Sequence, residues 1–144
     1  MTAELSDGPA ATEAVGARIA AGLGPGDVVL VSGDLGAGKT TLIRGACRAL
    51  GVTEVVSSPT FTIGRRYAGR IPVSHLDLYR LEDLGAEDPG LLDDYLTPDA
   101  VAFVEWPQRA ADQLLGEDAI RVVLRVTLAH AGGDRRELLL VPAA

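Results

Sequence analysis

One run of nine residues, Gly33-Asp34-Leu35-Gly36-Ala37-Gly38-Lys39-Thr40-Thr41, carries the most explicit chemistry of the chain. It fits G-x-x-x-x-G-K-[ST], the loop that wraps nucleotide phosphates when a strand precedes it and a helix follows. Each residue type has a physical reason. Glycines let the backbone turn so that successive N–H groups point at phosphate oxygens. The start of the next helix adds the positive end of its dipole. Lys39 brings a compact charge on a flexible stem to the β- and γ-phosphates. Thr40 offers a hydroxyl to Mg2+. At average composition such a match arises by accident in about one chain of this length in a few hundred.

Composition sharpens this reading. Lys39 is the only lysine among 13 basic residues, and the chain has no asparagine. A chain that uses arginine everywhere else keeps lysine where the planar guanidinium fork fits badly. Guanine readers of the common GTPase type are built on Asn-Lys-x-Asp, which this composition cannot supply. ATP is therefore the expected nucleotide.

Mg2+ needs further oxygen ligands, usually a carboxylate at the end of a neighbouring strand. Asp77 closes IPVSHLD and Glu105 closes AVAFVE. Asp77 is assigned to the metal, and Glu105 to the attacking water or to the outer surroundings of the metal. His75 shares the strand face of Asp77 by the two-residue period and reads as a hydrogen-bonded structural histidine. Ser57-Ser58-Pro59-Thr60-Phe61 is placed to run past the γ-phosphate, with Thr60 offering its hydroxyl to Mg2+ or to water. Trp106 follows Glu105 directly and is either a core residue or a ring stacked near the nucleotide or a partner.

These residues require elements to hold them. Positions 12–23 have helical spacing, and Gly24-Pro25-Gly26 stops them. Positions 27–32 (DVVLVS) read as a central parallel strand buried on both faces. Positions 39–50 carry an apolar helical stripe closed by Gly51. Strands are expected over 54–57, 60–67 and 70–76, the last two separated by Ala68-Gly69. Short helices are expected across 81–95, a strand over 100–104 and a helix over 108–115. Positions 120–128 alternate, with Arg121 and Arg125 opposite Ile120, Val122, Leu124 and Val126. They lead through Gly132-Gly133-Asp134 to 135–141, an antiparallel hairpin. The expected fold class is α/β, a P-loop NTPase-like three-layer arrangement with a mostly parallel central sheet and antiparallel additions, in one domain spanning 1–144.

A chain of 144 residues buries roughly 68–70% of its unfolded surface, enough for one core. With 47% apolar and 23% charged residues, disorder is not indicated. No apolar run approaches the roughly 18 residues of a membrane span, and the opening MTAELSDGPAATEAV does not read as a secretion signal. Cys47, the lone cysteine, excludes an internal disulfide, fits a reducing cytoplasm, and reads as a small buried helix residue. A net charge of −7 repels nucleic acid as a whole, so no DNA partner is expected. Arg65, Arg66 and Arg70 are the local exception, either a solvated strand pair or a docking patch for a partner or RNA.

GDLGAGKTT, SSPTFTI, HLDLYRL and VEWPQR, in this order and spacing, resemble the TsaE family, also called YjeE. The resemblance runs from the first helix to the closing GDRREL. It implies an ATPase that works with TsaB and TsaD to install threonylcarbamoyl on the adenosine beside the anticodon in tRNAs reading A-starting codons. In that family the transfer belongs to TsaD, ATP hydrolysis by this subunit resets the complex, and tRNA is reached through the complex. Lys39, Thr40, Thr60, Asp77, Glu105 and Trp106 fall on the matching motif positions. GRRY after SPTFTI, and LLGED further on, depart from the family pattern. Two rivals remain: a P-loop small-molecule kinase, which the strand-like last third disfavours for want of an arginine-rich lid, and a nucleotide-gated assembly module with negligible hydrolysis.

Overall fold

Seven strands and two helices follow one another as β1 (Thr2–Ser6), α1 (Pro9–Ala21), β2 (Asp27–Gly33), α2 (Lys39–Ala49), β3 (Gly64–Tyr67), β4 (Val73–Asp77), β5 (Val101–Glu105), β6 (Arg121–His130) and β7 (Arg136–Pro142). They belong to a computed structural model that describes residues 1–34, 36–58, 64–78, 93–105 and 121–143. The sheet order is β1-β7-β6-β2-β5-β4-β3. Its centre, β6-β2-β5-β4, is parallel. Antiparallel β7 and β1 extend one side, and antiparallel β3 extends the other. This is the mixed α/β class expected from the sequence.

β2 and β5 are buried almost throughout, as their unbroken apolar runs require of central parallel strands. On one face Leu42, Ile43, Ala46 and Cys47 of α2 and Val15 and Ala20 of α1 pack against Val29, Val31, Phe103, Val126 and Leu128. On the other face Val28, Leu30, Leu76, Ala102 and Val104 form a second cluster with Leu78, Tyr95 and Leu96. Large side chains in these clusters each contribute about 1.5–3 kcal/mol through burial. No helix among the described residues is long and apolar enough to cross a membrane.

Several expectations shift. α1 starts at Pro9, not at position 12, because proline pre-sets the first helical turn. Ser6 Oγ donates to Gly8 O (2.9 Å) and accepts from Thr12 Oγ1 (2.6 Å), which ties β1 to that turn. β1 itself was not expected; it pairs along its whole length with β7. Positions 54–57 form no strand: Val56 is buried under α2, and its carbonyl accepts from Arg44 rather than from a ladder. Simple alternation in β6 also fails. A register shift places Val122 opposite Val28 and Leu124 opposite Val29, so that Val122 and Leu124 serve opposite faces. Of the helices expected over 81–95, positions 93–95 form a turn. Positions 79–92 and the helix expected over 108–115 lie outside the described residues.

Candidate functional site

β2 ends against β6, where a Cβ at Gly33 would lie 2.5 Å from Leu128 O. Only glycine lets the strand leave the sheet there. Gly38, with φ 101°, is the left-handed residue that starts α2. Among the described residues no side chain caps α2, and its first turn carries no acid. The N–H groups of that turn, which lack helical acceptors, face outward at the positive end of the dipole. Inside the loop Ala37 N donates to Asp34 O (3.0 Å). Lys39 Nζ donates to Gly33 O at 2.6 Å, with Asp34 O at 3.4 Å. Arg136 reaches over from β7 to donate to Gly36 O (3.3 Å) while bracing its own turn through Gly133 O and Arg135 O (both 2.8 Å). Thr41, next to Thr40 in the first turn of α2, is half-buried.

The carboxylates come from the strands on the opposite side of β2 from β6. Asp77 and Glu105 are partners in the parallel register of β4 and β5, each the last residue of its strand. Leu78 N donates to Glu105 O (2.8 Å) and locks the two ends together. Glu105 is buried, Asp77 half-buried. Glu105 Oε1 accepts from Thr40 Oγ1 at 3.2 Å, and its Oε2 lies 2.8 Å from His75 Nε2. With the single proton of Thr40 on Glu105, Ser58 Oγ, 2.6 Å away, is the donor to Thr40. A hydrogen-bonded chain therefore runs Ser58–Thr40–Glu105–His75, from the segment after α2 into the core.

His75 is fully buried. Its Nδ1 has no hydrogen-bond partner among the described residues, and a buried polar atom left so costs about 1–3 kcal/mol. The period of two sets Val73, His75 and Asp77 on one face, and parallel pairing sets Val101, Phe103 and Glu105 beside them. Val73, Val101 and Phe103 pack in the cluster with α2, so that face is the one that meets Thr40.

The expected site residues thus divide. Gly33, Asp34, Gly36, Ala37, Gly38, Lys39, Thr40 and Thr41 form one loop and helix start, and Thr40 meets Glu105. Asp77 stands next to Glu105 in register. Leu35, Thr60 and Trp106 lie outside the described residues. The structural reading of His75 missed its partner, Glu105. Ser58 was read only as part of its segment.

Cys47 sits in the α2 core, where burial pushes its thiol from 9.0 to about 12. The three arginines on the β3 side are each engaged within the chain. Arg65 lies 5.5 Å over the Tyr67 ring, Arg66 pairs with Asp99 (3.7 Å), and Arg70 donates to Ala49 O at the end of α2.

The model of the family "Threonylcarbamoyl adenosine biosynthesis protein TsaE" matches residues 6–138. A Bacillus subtilis (strain 168) protein named tRNA threonylcarbamoyladenosine biosynthesis protein TsaE is 44% identical over 131 residues, covering 90% of this chain and 78% of that one. The protein of the same name from Streptomyces coelicolor is 43% identical over 124 residues, covering 83% and 80%. The crystal structure of Bacillus subtilis YdiB superimposes with a TM-score of 0.78 at 35% identity, over 99% of this chain and 86% of that one. With the family match spanning nearly its whole length, the chain belongs to the TsaE family of threonylcarbamoyl adenosine biosynthesis proteins.

Proposed function

We propose that this chain binds ATP with Mg2+ and hydrolyses it slowly, as the ATPase subunit of a cytoplasmic complex with TsaB and TsaD that makes threonylcarbamoyladenosine in tRNA. The observation that carries the chemistry is the 3.2 Å contact between Thr40 Oγ1 and Glu105 Oε1 at the mouth of the glycine-rich loop. Two oxygens at neighbouring corners of an octahedron around Mg2+ lie about 2.9 Å apart, given metal–oxygen bonds of about 2.0–2.1 Å. The pair therefore fits the metal with little movement. Among the described residues no three His, Cys, Asp or Glu side chains converge on a common point. Mg2+ in such sites is usually held by one or two carboxylates together with substrate phosphates.

When bound, Mg2+ supplies positive charge to the β- and γ-phosphate oxygens. Thr40 and Glu105 are assigned to hold it, with Asp77, next in register, as the further carboxylate. Glu105 is also assigned to orient the attacking water. Lys39, which donates to Gly33 O, would turn to the phosphates, and the N-terminus of α2 would receive them. Thr60 is assigned to the water or metal, and Trp106 to the neighbourhood of the nucleotide. The absence of asparagine supports ATP over GTP. The names of the relatives support the tRNA pathway.

The decisive experiment is ATP turnover by the chain alone and with TsaB–TsaD and tRNA. Phosphate release that rises with the partners is expected. No turnover in any combination would overturn the hydrolase reading, and transfer of phosphate to a small acceptor would replace it with a kinase.

A further inference from the structure

We propose that His75 is a positioning residue: its Nε2–H holds Glu105 Oε2 so that Oε1 stays aimed at Thr40 and the metal. The inference rests on the ATP–Mg2+ reading above. It adds a residue that neither the loop motif nor the strand-end carboxylates call for.

The geometry carries the case. Glutamate has three rotatable bonds, so a lone Glu105 side chain at a strand end holds many orientations, and fixing one costs entropy. Here both oxygens are engaged, Oε2 with His75 Nε2 at 2.8 Å and Oε1 with Thr40 at 3.2 Å. A carboxylate only accepts, so the proton of the first bond sits on Nε2. The partner that fixes one oxygen leaves the other directed, as outer hydrogen bonds do for metal-binding side chains.

The burial of His75 points the same way. The residues beside it on the same face of the sheet, Val73 in β4 and Phe103 in β5, are apolar and buried. Leucine would serve packing there with no polar atom to satisfy. Instead the position holds a ring whose Nδ1 is buried and has no partner among the described residues. A histidine kept only for packing would gain nothing from that orphan nitrogen. The bond from Nε2 to Glu105 is what the position obtains for it.

Three substitutions separate positioning from packing. His75→Gln extends an amide nitrogen to about the place of Nε2. His75→Asn stops its amide near the place of Nδ1, and His75→Leu removes both. Thermal melts establish that each variant folds. A fluorescent ATP analogue is then titrated into the full chain in EDTA and across Mg2+ concentrations. Affinity in EDTA is expected to stay unchanged in all. The Mg2+ needed for tight binding is expected to rise about 10–100-fold in His75→Asn and His75→Leu, the usual loss for an orienting partner, and to stay near wild type in His75→Gln.

Equal Mg2+ dependence in His75→Asn and His75→Gln would overturn the proposal, as would wild-type behaviour in His75→Leu. If His75→Leu does not fold, the comparison of the two amides decides. A wild-type chain whose ATP binding ignores Mg2+ would bring down the ATP–Mg2+ reading and this role with it. A normal wild type with indifferent variants removes the role of His75 alone.

Discussion

Gly16 of α1 and Gly45 of α2 mark the crossing of the two helices, where backbone meets backbone. A Cβ at Gly16 would lie 2.0 Å from Leu42 O, and one at Gly45 would lie 2.1 Å from Glu13 O. Since α2 begins with Lys39 and Thr40, this crossing also fixes where the phosphate-facing end of the helix stands. Alanine at either position gains up to about 1 kcal/mol in helix propensity. Forcing a methyl group into a backbone carbonyl costs about 1–3 kcal/mol or more, so the clash wins. Gly16→Ala and Gly45→Ala are expected to lower Tm by roughly 3–10 °C. Gly24→Ala, where a Cβ meets nothing within 4 Å, is the control. A Tm equal to the control would refute the tight crossing.

Lys39 donates to Gly33 O at 2.6 Å, so the ammonium is already folded over the loop that it is assigned to serve. Lys39→Ala removes the only lysine and is expected to abolish ATP binding in a calorimetric titration. Lys39→Arg is expected to fail as well, since a rigid planar fork does not follow the path of a four-carbon stem and point charge. An arginine variant with normal affinity and hydrolysis would remove the special role of the ammonium.

Glu105 and Asp77 are neighbours in register, and Glu105 accepts from Thr40. Glu105→Gln keeps an oxygen for His75 and loses the charge. It is expected to lower hydrolysis at least about a hundredfold, the scale of a positioned base, and to raise the Mg2+ needed for tight binding at least as much as His75→Leu does. Asp77→Ala is expected to weaken Mg2+-dependent affinity first. Glu105→Ala has a further consequence that Glu105→Gln avoids. It strips the partner from buried His75 Nε2, and that donor left unmade is expected to cost about 1–3 kcal/mol in urea unfolding. Exchanged phenotypes for Glu105→Gln and Asp77→Ala would exchange the two roles.

How much of this was legible in the sequence follows from how local each signal is. The loop from Gly33 to Thr41, the strand before it and the helix after it are contiguous, and their bounds came out within a residue. The bond between His75 and Glu105 joins residues 30 positions apart. The two-residue period set His75 and Asp77 on one face of their strand, but only the parallel pairing of β4 with β5 brings His75 and Glu105 together. β1 is a five-residue edge strand, TAELS, mostly exposed, so no apolar alternation announced it. The shift in β6 falls in a run of valines and leucines with no glycine or proline to mark it. Gly16 and Gly45 carried no signal of their own, because a lone sequence does not say that another backbone arrives there.

Cys47 gives a pH prediction with a definite sign. Burial raises its thiol from 9.0 to about 12 in the folded chain. Below pH about 9 both states keep the proton, and the contribution of the buried thiol is fully present. Above that, the unfolded chain releases the proton while the folded chain retains it, so stability falls as pH rises toward about 12. Urea unfolding of wild type and Cys47→Ala between pH about 8 and 10.5 isolates the effect. The wild type is expected to lose stability more steeply, and parallel slopes would show that the thiol is not shielded.

Ser58 bonds to Thr40 at 2.6 Å, which ties the segment after α2 to the hydroxyl assigned to Mg2+. Ligation of Thr40 competes for that hydroxyl, so ATP is expected to rearrange the segment of Ser58 and thereby the surface a partner meets. ATP should then tighten association with TsaB–TsaD, and the partner must tighten ATP binding by the same factor, commonly about 5–150-fold. Calorimetric titrations with ATP, ADP and no nucleotide measure both arms of this cycle. Association that ignores the nucleotide would refute the coupling and leave the ATPase reading standing. The same experiment without partners addresses tRNA. A chain with net charge −7 lacks the surplus of cations that neutralises phosphates and releases their counterions. Isolated tRNA is therefore expected to bind only weakly at physiological salt, and to bind well once the complex has formed. Tight, salt-sensitive binding of tRNA by the lone chain would mean that a local basic surface outweighs the net charge.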